Sequence, residues 1–313
     1  MKIVVLDGRT LAADGNSWDG LQALGEVELH ERSSPEEVVA RSRSADVLIT
    51  NKAVVSAAAI ERSPRLRFIA VSATGHDCVD VPAARQRGIP VAYVPEYGTA
   101  SVAQYVFALL LHLCHRVGLH ADAVQAGDWT KSPDFCFWKT PQWELAGKTL
   151  GIVGYGRIGR QVAAIGAAFG MEVLVHARTP PKPPVAVATL DELFARADVI
   201  TLHCPLTPTT AGLVNRQRLQ LVKPSAVFIN TARGGLVVEA DLADALNRGQ
   251  LAAAAVDVVS REPLQPDNPL LTARHCIITP HIAWATREAR ARLLAATIAN
   301  VANFLAGQPT NLV

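Results

Sequence analysis

The sequence predicts an α/β protein built on two doubly wound parallel sheets. Three observations point there. Short apolar runs rich in β-branched residues alternate with helix-like stretches along the chain, as βαβ units require. A glycine cluster, Gly154-Tyr155-Gly156-Arg157-Ile158-Gly159, sits between a buried-strand pattern and an amphipathic helix pattern. The 313 residues, half of them hydrophobic, suffice for two domains with separate cores.

Taken in order, the first half offers strands at Lys2–Leu6, Val27–His30, Val47–Thr50, Phe68–Val71 and Val91–Val94. Helical stretches at Pro35–Arg43, Ser56–Arg62 and Val81–Gln86 lie between them. Ligands of such sheets bind at the carboxyl ends of the strands, which singles out the loops Thr50-Asn51-Lys52 and Ser72-Ala73-Thr74-Gly75-His76-Asp77. A long helix around Val102–Leu113 follows, with Ser101-x-x-Gln104 resembling a capping box, and is expected to cross to the second half. The irregular stretch 127–144 carries Trp129, Trp138 and Trp143. Two readings stay open there: a surface covered by a second subunit, or a loop packed on its own domain.

The second half begins with a strand at Thr149 and continues with strands Met171–His176, Val199–His203, Ala226–Asn230, Ala254–Val258 and Cys276–Thr279. Helices are expected at Arg160–Phe169, Leu190–Ala195, Arg216–Leu221 and Glu239–Arg248, with a stiff loop at Pro180–Pro184. The last helix, Arg287–Leu305, is expected to fold back on the first domain. The domains are thus 1–97 with 287–313, and 98–286.

Composition narrows the function classes. Lys and Arg total 30 against 28 Asp and Glu, and no basic block or aromatic-basic interleaving suggests nucleic acid. Met1–Asp7 reads as a strand, its apolar run being too short for a signal peptide. Val102–Leu113, broken by Gln104 and His112, falls short of a membrane span. Cysteines 78, 114, 136, 204 and 276 form no C-x-x-C pattern and are expected to be reduced, mostly buried thiols of a cytoplasmic protein. His112 and His115 share a helical face near Cys114, but two imidazoles without a carboxylate make a poor metal site, and no metal is expected.

The glycine cluster carries a physical reading. Gly154 permits a tight turn, Gly156 lets backbone approach a pyrophosphate, and Gly159 allows the helix to lie close on its strand. The helix N-terminus then offers unpaired N–H groups to phosphate, a Rossmann dinucleotide site. Three later loops leave the same strand ends: Asn230-Thr231-Ala232-Arg233-Gly234-Gly235, Asp257-Val-Val-Ser-Arg-Glu262-Pro263, and Thr279-Pro280-His281-Ile-Ala-Trp284. They bring an arginine, two acids and a histidine toward one cleft.

The glycine motif, Cys204-Pro205-Leu-Thr207, Asn230-Thr-Ala-Arg233-Gly, Glu262-Pro-Leu264 and Pro280-His281 occur in one order over nearly the whole chain. In this the chain resembles the D-isomer-specific 2-hydroxyacid dehydrogenases, within them the glycerate dehydrogenase/hydroxypyruvate (glyoxylate) reductase group. The resemblance implies a flavodoxin-like substrate domain, a Rossmann nucleotide-binding domain, a cleft between them, and a homodimer formed through the latter. Its implied chemistry is hydride transfer between a nicotinamide cofactor and a small 2-keto or D-2-hydroxy acid. His281 suits the general acid/base, since histidine titrates near neutrality. Glu262 would orient it, and Arg233 would grip carboxylate and carbonyl oxygens through its planar fork. Thr74 and Gly75 would offer backbone amides to the carboxylate, and Lys52 would steer the anion. Trp284 would narrow the pocket, and Trp138 would reach a neighbouring subunit's site. Besides the glycine-loop residues, Arg178, Thr179, Cys204, Pro205, Thr210, Thr231, Ala232, Arg233, Asp257 and His281 fall at cofactor positions, Asp257 beside the nicotinamide carboxamide. Corepressor-like dinucleotide sensors and formate- or phosphite-type dehydrogenases share the scaffold and are the rival readings.

The departure from the pattern concerns the cofactor. NAD-binding sites of this kind place an acid about 20 residues past the first glycine to hold the ribose 2′-OH. Here Ala177 stands in that place, followed by Arg178 and Thr179, with Lys182 near. Losing the carboxylate removes repulsion toward a 2′-phosphate and Arg178 supplies a bidentate partner. NADP(H) is therefore expected in preference to NAD(H).

Overall fold

In the computed structural model the residues described are 1–13, 15–179 and 185–313. The Pro180–Pro184 loop, with Lys182, lies outside them. The chain forms two compact units, Met1–Gly98 with Ala285–Val313, and Thr99–Trp284.

The first unit runs β1 (Lys2–Val5), β2 (Glu26–Leu29), α1 (Pro35–Ser42), β3 (Val47–Thr50), α2 (Ala57–Glu61), β4 (Phe68–Val71), α3 (Val81–Gln86) and β5 (Val91–Ala92). The strands pair in parallel in the order β2-β1-β3-β4-β5, a doubly wound arrangement. Every residue of β3 and β4 is buried, as expected of strands covered on both faces. The helix starts are written locally: Ser34 and Glu37 form a capping box ahead of Pro35, and Ser56 and Asp80 cap α2 and α3. The C-terminal helix Arg287–Leu305, capped by Thr286, belongs to this unit. It stacks Phe304 on Phe68 of β4 at 4.3 Å. β5 ends two residues earlier than expected. Beyond it the ladder passes to the chain's last residues, Tyr93 N–H donating to Asn311 O and Val313 N–H to Val91 O, each at 3.0 Å.

The second unit opens with α4 (Thr99–His115) and α5 (Val117–Gln125). Next come β6 (Thr149–Val153), α6 (Arg157–Ala168), β7 (Glu172–His176), β8 (Ala186–Val187), α7 (Leu190–Arg196) and β9 (Val199–Leu202). α8 (Arg216–Leu219), β10 (Val227–Asn230), α9 (Glu239–Asn247), β11 (Ala253–Val256) and β12 (Cys276–Ile278) complete it. All seven strands are parallel, in the order β12-β11-β10-β9-β6-β7-β8. One apolar cluster lies under α7 and α9, with Phe194, Leu242 and Phe228. A second lies under α4 and α6, with Val106, Leu110 and Val162. The order turns back between β6 and β9, so the loop after β6 lies at the topological switch point.

The structure corrects several expectations. α6 begins at Arg157, three residues before Arg160, because Gly156 is already its extended N-cap. Ser101 is no cap: it sits inside α4, wholly within the second unit, and its hydroxyl donates to Ala283 O at 2.6 Å. α4 and α5 are separate because Arg116 between them is left-handed, φ 43°. Neither α5 nor β8 stood out in the sequence. Cys136 is exposed, while the other four cysteines are buried or partly so and all five are free. Among the described residues no single helix is long and apolar enough to cross a membrane; α4 and α5 pass that test only as a pair bent by 53°.

Candidate active site

The glycine loop works as its residue types suggest. Gly154 has φ +97°, a conformation L side chains rarely adopt, and a Cβ there would overlap the backbone of His203 and Cys204 at 2.6 Å. A Cβ on Gly159 would stand 2.2 Å from Gly154 O, so only glycine lets the first turn of α6 pass so close. A Cβ on Gly156, by contrast, meets nothing within 4 Å. Open space above a bare helix N-terminus is what a pyrophosphate needs, so these residues fit a dinucleotide. Tyr155 and Ile158 pack partly against the core, and Arg157 opens the helix. Gly154 N–H donates to His176 O at 2.8 Å, bringing the end of β7 beside the loop. The exposed Arg178 and Thr179 follow Ala177 there.

Across the switch point β9 ends in His203 and Cys204. The His203 ring lies 3.0 Å from Thr201 Oγ1, and burial pushes its imidazole down to about 3. Burial also raises the Cys204 thiol, which therefore stays neutral at physiological pH. After Pro205 the loop is closed by Thr210, whose hydroxyl donates to Pro205 O at 2.7 Å and accepts from Thr207 N–H at 2.8 Å.

The turn carrying Arg233 is shaped by a residue whose part in it no sequence pattern signals. Asn230, fully buried at the end of β10, accepts from Ala232 N–H at 3.0 Å and donates to Arg233 O at 2.9 Å. Arg233 itself donates to Ala232 O at 2.7 Å. The hydroxyl of Thr231 is buried without a partner, a free hydrogen-bonding group beside Arg233. One residue on, a Cβ at Gly234 would lie 1.9 Å from the Val259 carbonyl carbon, so the loops after β10 and β11 touch backbone to backbone. Glu239, at the start of α9, keeps them there by accepting from Ser260 N–H at 2.6 Å, Ser260 Oγ at 2.7 Å and Asn268 Nδ2 at 2.9 Å. Glu239 too went unnoticed in the sequence.

Asp257, 1% exposed, organises the histidine loop. Its Oδ1 accepts from Thr279 Oγ1 at 2.6 Å and Ile282 N–H at 3.0 Å, and its Oδ2 from Ala283 N–H at 2.8 Å. Between these anchors His281 is left-handed, φ 56°, a conformation costing a β-carbon residue about 1–2 kcal/mol. Trp284 braces the same point by donating its indole N–H to His281 O at 2.9 Å. In that setting His281 Nδ1 lies 2.7 Å from Glu262 Oε2. An ionised carboxylate only accepts, so Nδ1 carries the hydrogen and Nε2 is left for a reacting oxygen. The site-bearing loops of this unit follow adjacent parallel strands β10, β11 and β12.

In the first unit the loops after β3 and β4 are adjacent as well. Lys52 and Thr74 are exposed, and the Thr74 hydroxyl donates to Val94 O at 2.8 Å. The neighbouring His76 keeps its Nδ1 buried with no partner and its ring 5.6 Å from that of Tyr93. Asp7, two residues past the end of β1, accepts from the N–H groups of Asn51 at 2.7 Å, Lys52 at 2.6 Å and Ala53 at 2.7 Å. Its signal was an acid at the carboxyl end of an apolar run. The tryptophans divide: Trp129 and Trp138 are 50% and 69% exposed, while Trp143 packs against the second unit's core.

Comparison with known proteins agrees with this geometry. Residues 107–283 match the family model described as D-isomer specific 2-hydroxyacid dehydrogenase, NAD binding domain. The chain is 48% identical to a hydroxypyruvate reductase of Blautia hydrogenotrophica, covering 100% of this chain and 99% of that protein. It is 39% identical to a glycerate dehydrogenase of Methylorubrum extorquens, covering 100% and 98%. Among solved structures it is similar to an acyclic imino acid reductase in complex with NADPH and D-Arg, at 29% identity, TM-score 0.87 and full coverage of both chains. It is likewise similar to D-lactate dehydrogenase of Aquifex aeolicus complexed with NAD and lactic acid, at 28% identity and TM-score 0.85, covering 98% and 96%.

Proposed function

The chain belongs to the D-isomer specific 2-hydroxyacid dehydrogenase family of NAD(P)-dependent oxidoreductases, and from that premise we propose that it reduces glyoxylate and hydroxypyruvate with NADPH, the latter to D-glycerate. The observation that carries the reading is the 2.7 Å contact between His281 and Glu262, beside the strand that ends in the Arg233 turn. The reduced nicotinamide, when bound, supplies the hydride to the carbonyl carbon. His281 delivers a proton from Nε2 to the carbonyl oxygen as negative charge develops there. Glu262 holds the ring through Nδ1 and so keeps Nε2 turned toward the reacting oxygen. Arg233 binds the carboxylate and the carbonyl oxygen through its fork. The backbone amides of Thr74 and Gly75, with Lys52, take up the substrate carboxylate. Trp284 limits the size of the substrate side chain.

The cofactor is held by the glycine loop, the Cys204-Pro205 and Thr210 loop, Thr231, Ala232 and Asp257. Arg178 and Thr179 meet the 2′-phosphate. Support for NADPH comes from the Ala177-Arg178 pair after β7, with alanine in the place where an acid would repel that phosphate. The enzyme is a homodimer in this reading, with exposed Trp138 reaching the site of a second copy. A screen of 2-keto acids against both reduced cofactors, followed by absorbance, tests it. Highest kcat/KM is expected for glyoxylate or hydroxypyruvate with NADPH. A higher value with NADH removes the cofactor assignment, and no turnover with any 2-keto acid removes the enzyme assignment. Trp138→Ala should alter the preference for glyoxylate over phenylpyruvate; an unchanged ratio removes the tryptophan's role.

A further inference from the structure

The first unit has a topological switch point of its own, between β1 and β3, where the order β2-β1-β3 reverses. Ligand sites of open parallel sheets gather at such a point. Asp7 leaves β1 and the loop 51–53 leaves β3, so the two straddle it. There the Asp7 carboxylate accepts three successive backbone N–H groups, those of Asn51, Lys52 and Ala53, all at 2.6–2.7 Å. The same short loop is closed from the other side by Thr50 Oγ1, which donates to Ala53 O at 2.7 Å. Asn51, 6% exposed, then donates through its side-chain amide to Ser72 O, at the head of the loop that carries Thr74 and Gly75. Ser72 N–H in turn donates to Thr50 O at 2.7 Å.

We infer that Asp7 is a positioning residue for substrate: it fixes the Asn51–Ala53 loop, and through Asn51 the Ser72–Gly75 loop, in the geometry that receives the carboxylate of the 2-keto acid. The inference rests on the reading of Lys52, Thr74 and Gly75 as substrate residues. The physical logic sets two opposed effects of one carboxylate. As a bare negative charge, Asp7 would repel an anionic substrate. As acceptor of three N–H groups it shapes a loop whose lysine and whose neighbour's amides attract that substrate. Charge-assisted bonds of this length are the stronger kind, and three of them spread the negative charge over the loop backbone. The scaffold effect therefore dominates.

That balance gives the test a sign. In the full-length enzyme, Asp7→Asn should raise KM for glyoxylate and hydroxypyruvate about tenfold, equivalent to about 1.4 kcal/mol. kcat should fall less than threefold and KM for NADPH should stay within twofold, because a uniform-binding loss appears in KM. Asp7→Glu keeps the charge but displaces it by one methylene, and should raise KM in the same direction. If Asp7→Asn does not fold, as judged by its thermal melt and NADPH binding, Asp7→Glu alone decides. A lower KM in Asp7→Asn shows that repulsion dominated and overturns the inference, as does unchanged KM in either folded variant. An equal rise in the KM values of the 2-keto acid and of NADPH marks a general structural defect and overturns it too. No turnover of either 2-keto acid by the wild-type enzyme overturns the function reading, and the inference with it.

Discussion

Glu262 Oε2 lies 2.7 Å from His281 Nδ1, and the contact joins the loops that follow two neighbouring strands, β11 and β12. Because Glu262 acts through His281, its removal should cost little more once His281 is gone. His281→Asn is expected to lower kcat/KM for hydroxypyruvate by about 10²–10⁴-fold, the usual weight of a general acid. Glu262→Gln should lower it by about 10–100-fold, and the double variant should match His281→Asn. Steady-state rates for the four proteins complete the cycle; multiplicative losses would show independent roles.

The second expectation concerns Asp257. Both of its oxygens are engaged by Thr279, Ile282 and Ala283, so it holds the left-handed His281 before any contact with cofactor. Replacing it with alanine strands buried donors, at about 1–3 kcal/mol each for groups that find no water. We expect Asp257→Ala to lower the melting temperature by about 4 °C or more, at roughly 2–4 °C per kcal/mol for a unit of this size. Asp257→Asn, which keeps one acceptor oxygen, should fall between. Equal melts for wild type and Asp257→Ala would contradict the anchoring role.

His203 gives stability a pH dependence. Its folded imidazole is pushed by burial from 6.5 to about 3, so below pH 6.5 the unfolded chain takes up a proton that the folded chain refuses. Stability from this group is complete above pH 6.5 and is lost as pH falls toward 3. The loss is at most about 1.4 kcal/mol per pH unit, and less here because part of the residue's surface reaches water. Melts at pH 7.5 and 5.0 should differ less in His203→Gln than in wild type. A difference of the same size in both would remove His203 as the source.

Why some of this was legible in the sequence and some was not follows from where the information sits. Gly154 and Gly159 announce themselves because a close backbone approach excludes every other residue type, a Cβ on Gly159 falling 2.2 Å from Gly154 O. Strands β3 and β4 are legible because burial on both faces leaves an unbroken apolar run. Asn230, Glu239 and Asp7 are silent, since their partners lie 2–3 residues away in one case and 21–46 residues away in the others. A carboxylate that accepts backbone amides leaves no periodic trace. The Ser101 capping motif misled for the opposite reason: its local spacing was right, but the hydroxyl bonds to Ala283, 182 residues on.

Cofactor choice should respond to one residue. Ala177 follows β7 where an acid would hold a ribose hydroxyl, with Arg178 exposed beside it. Ala177→Asp is expected to shift the NADPH-to-NADH ratio of kcat/KM toward NADH by about tenfold or more, since it adds repulsion to the 2′-phosphate and an acceptor for the 2′-hydroxyl. The ratio measured with glyoxylate decides it. An unchanged ratio would mean that the end of β7 does not face the adenosine ribose.

The second and third glycines of the loop should separate folding from binding. At Gly156 a Cβ meets nothing in the protein and the backbone has φ −76°, which alanine adopts freely. At Gly159 a Cβ meets the Gly154 carbonyl oxygen at 2.2 Å, so α6 must shift off its strand. Gly156→Ala is therefore expected to melt within about 2 °C of wild type, a change under about 1 kcal/mol, yet to bind NADPH at least tenfold more weakly, because the methyl occupies the space reserved for the pyrophosphate. Gly159→Ala should melt several degrees lower and lose cofactor binding as a consequence, the overpacking cost being about 1–3 kcal/mol. Calorimetry and fluorescence titration on the two variants distinguish these cases. Tight NADPH binding by Gly156→Ala would mean that the open space above the helix N-terminus is not where the phosphates lie.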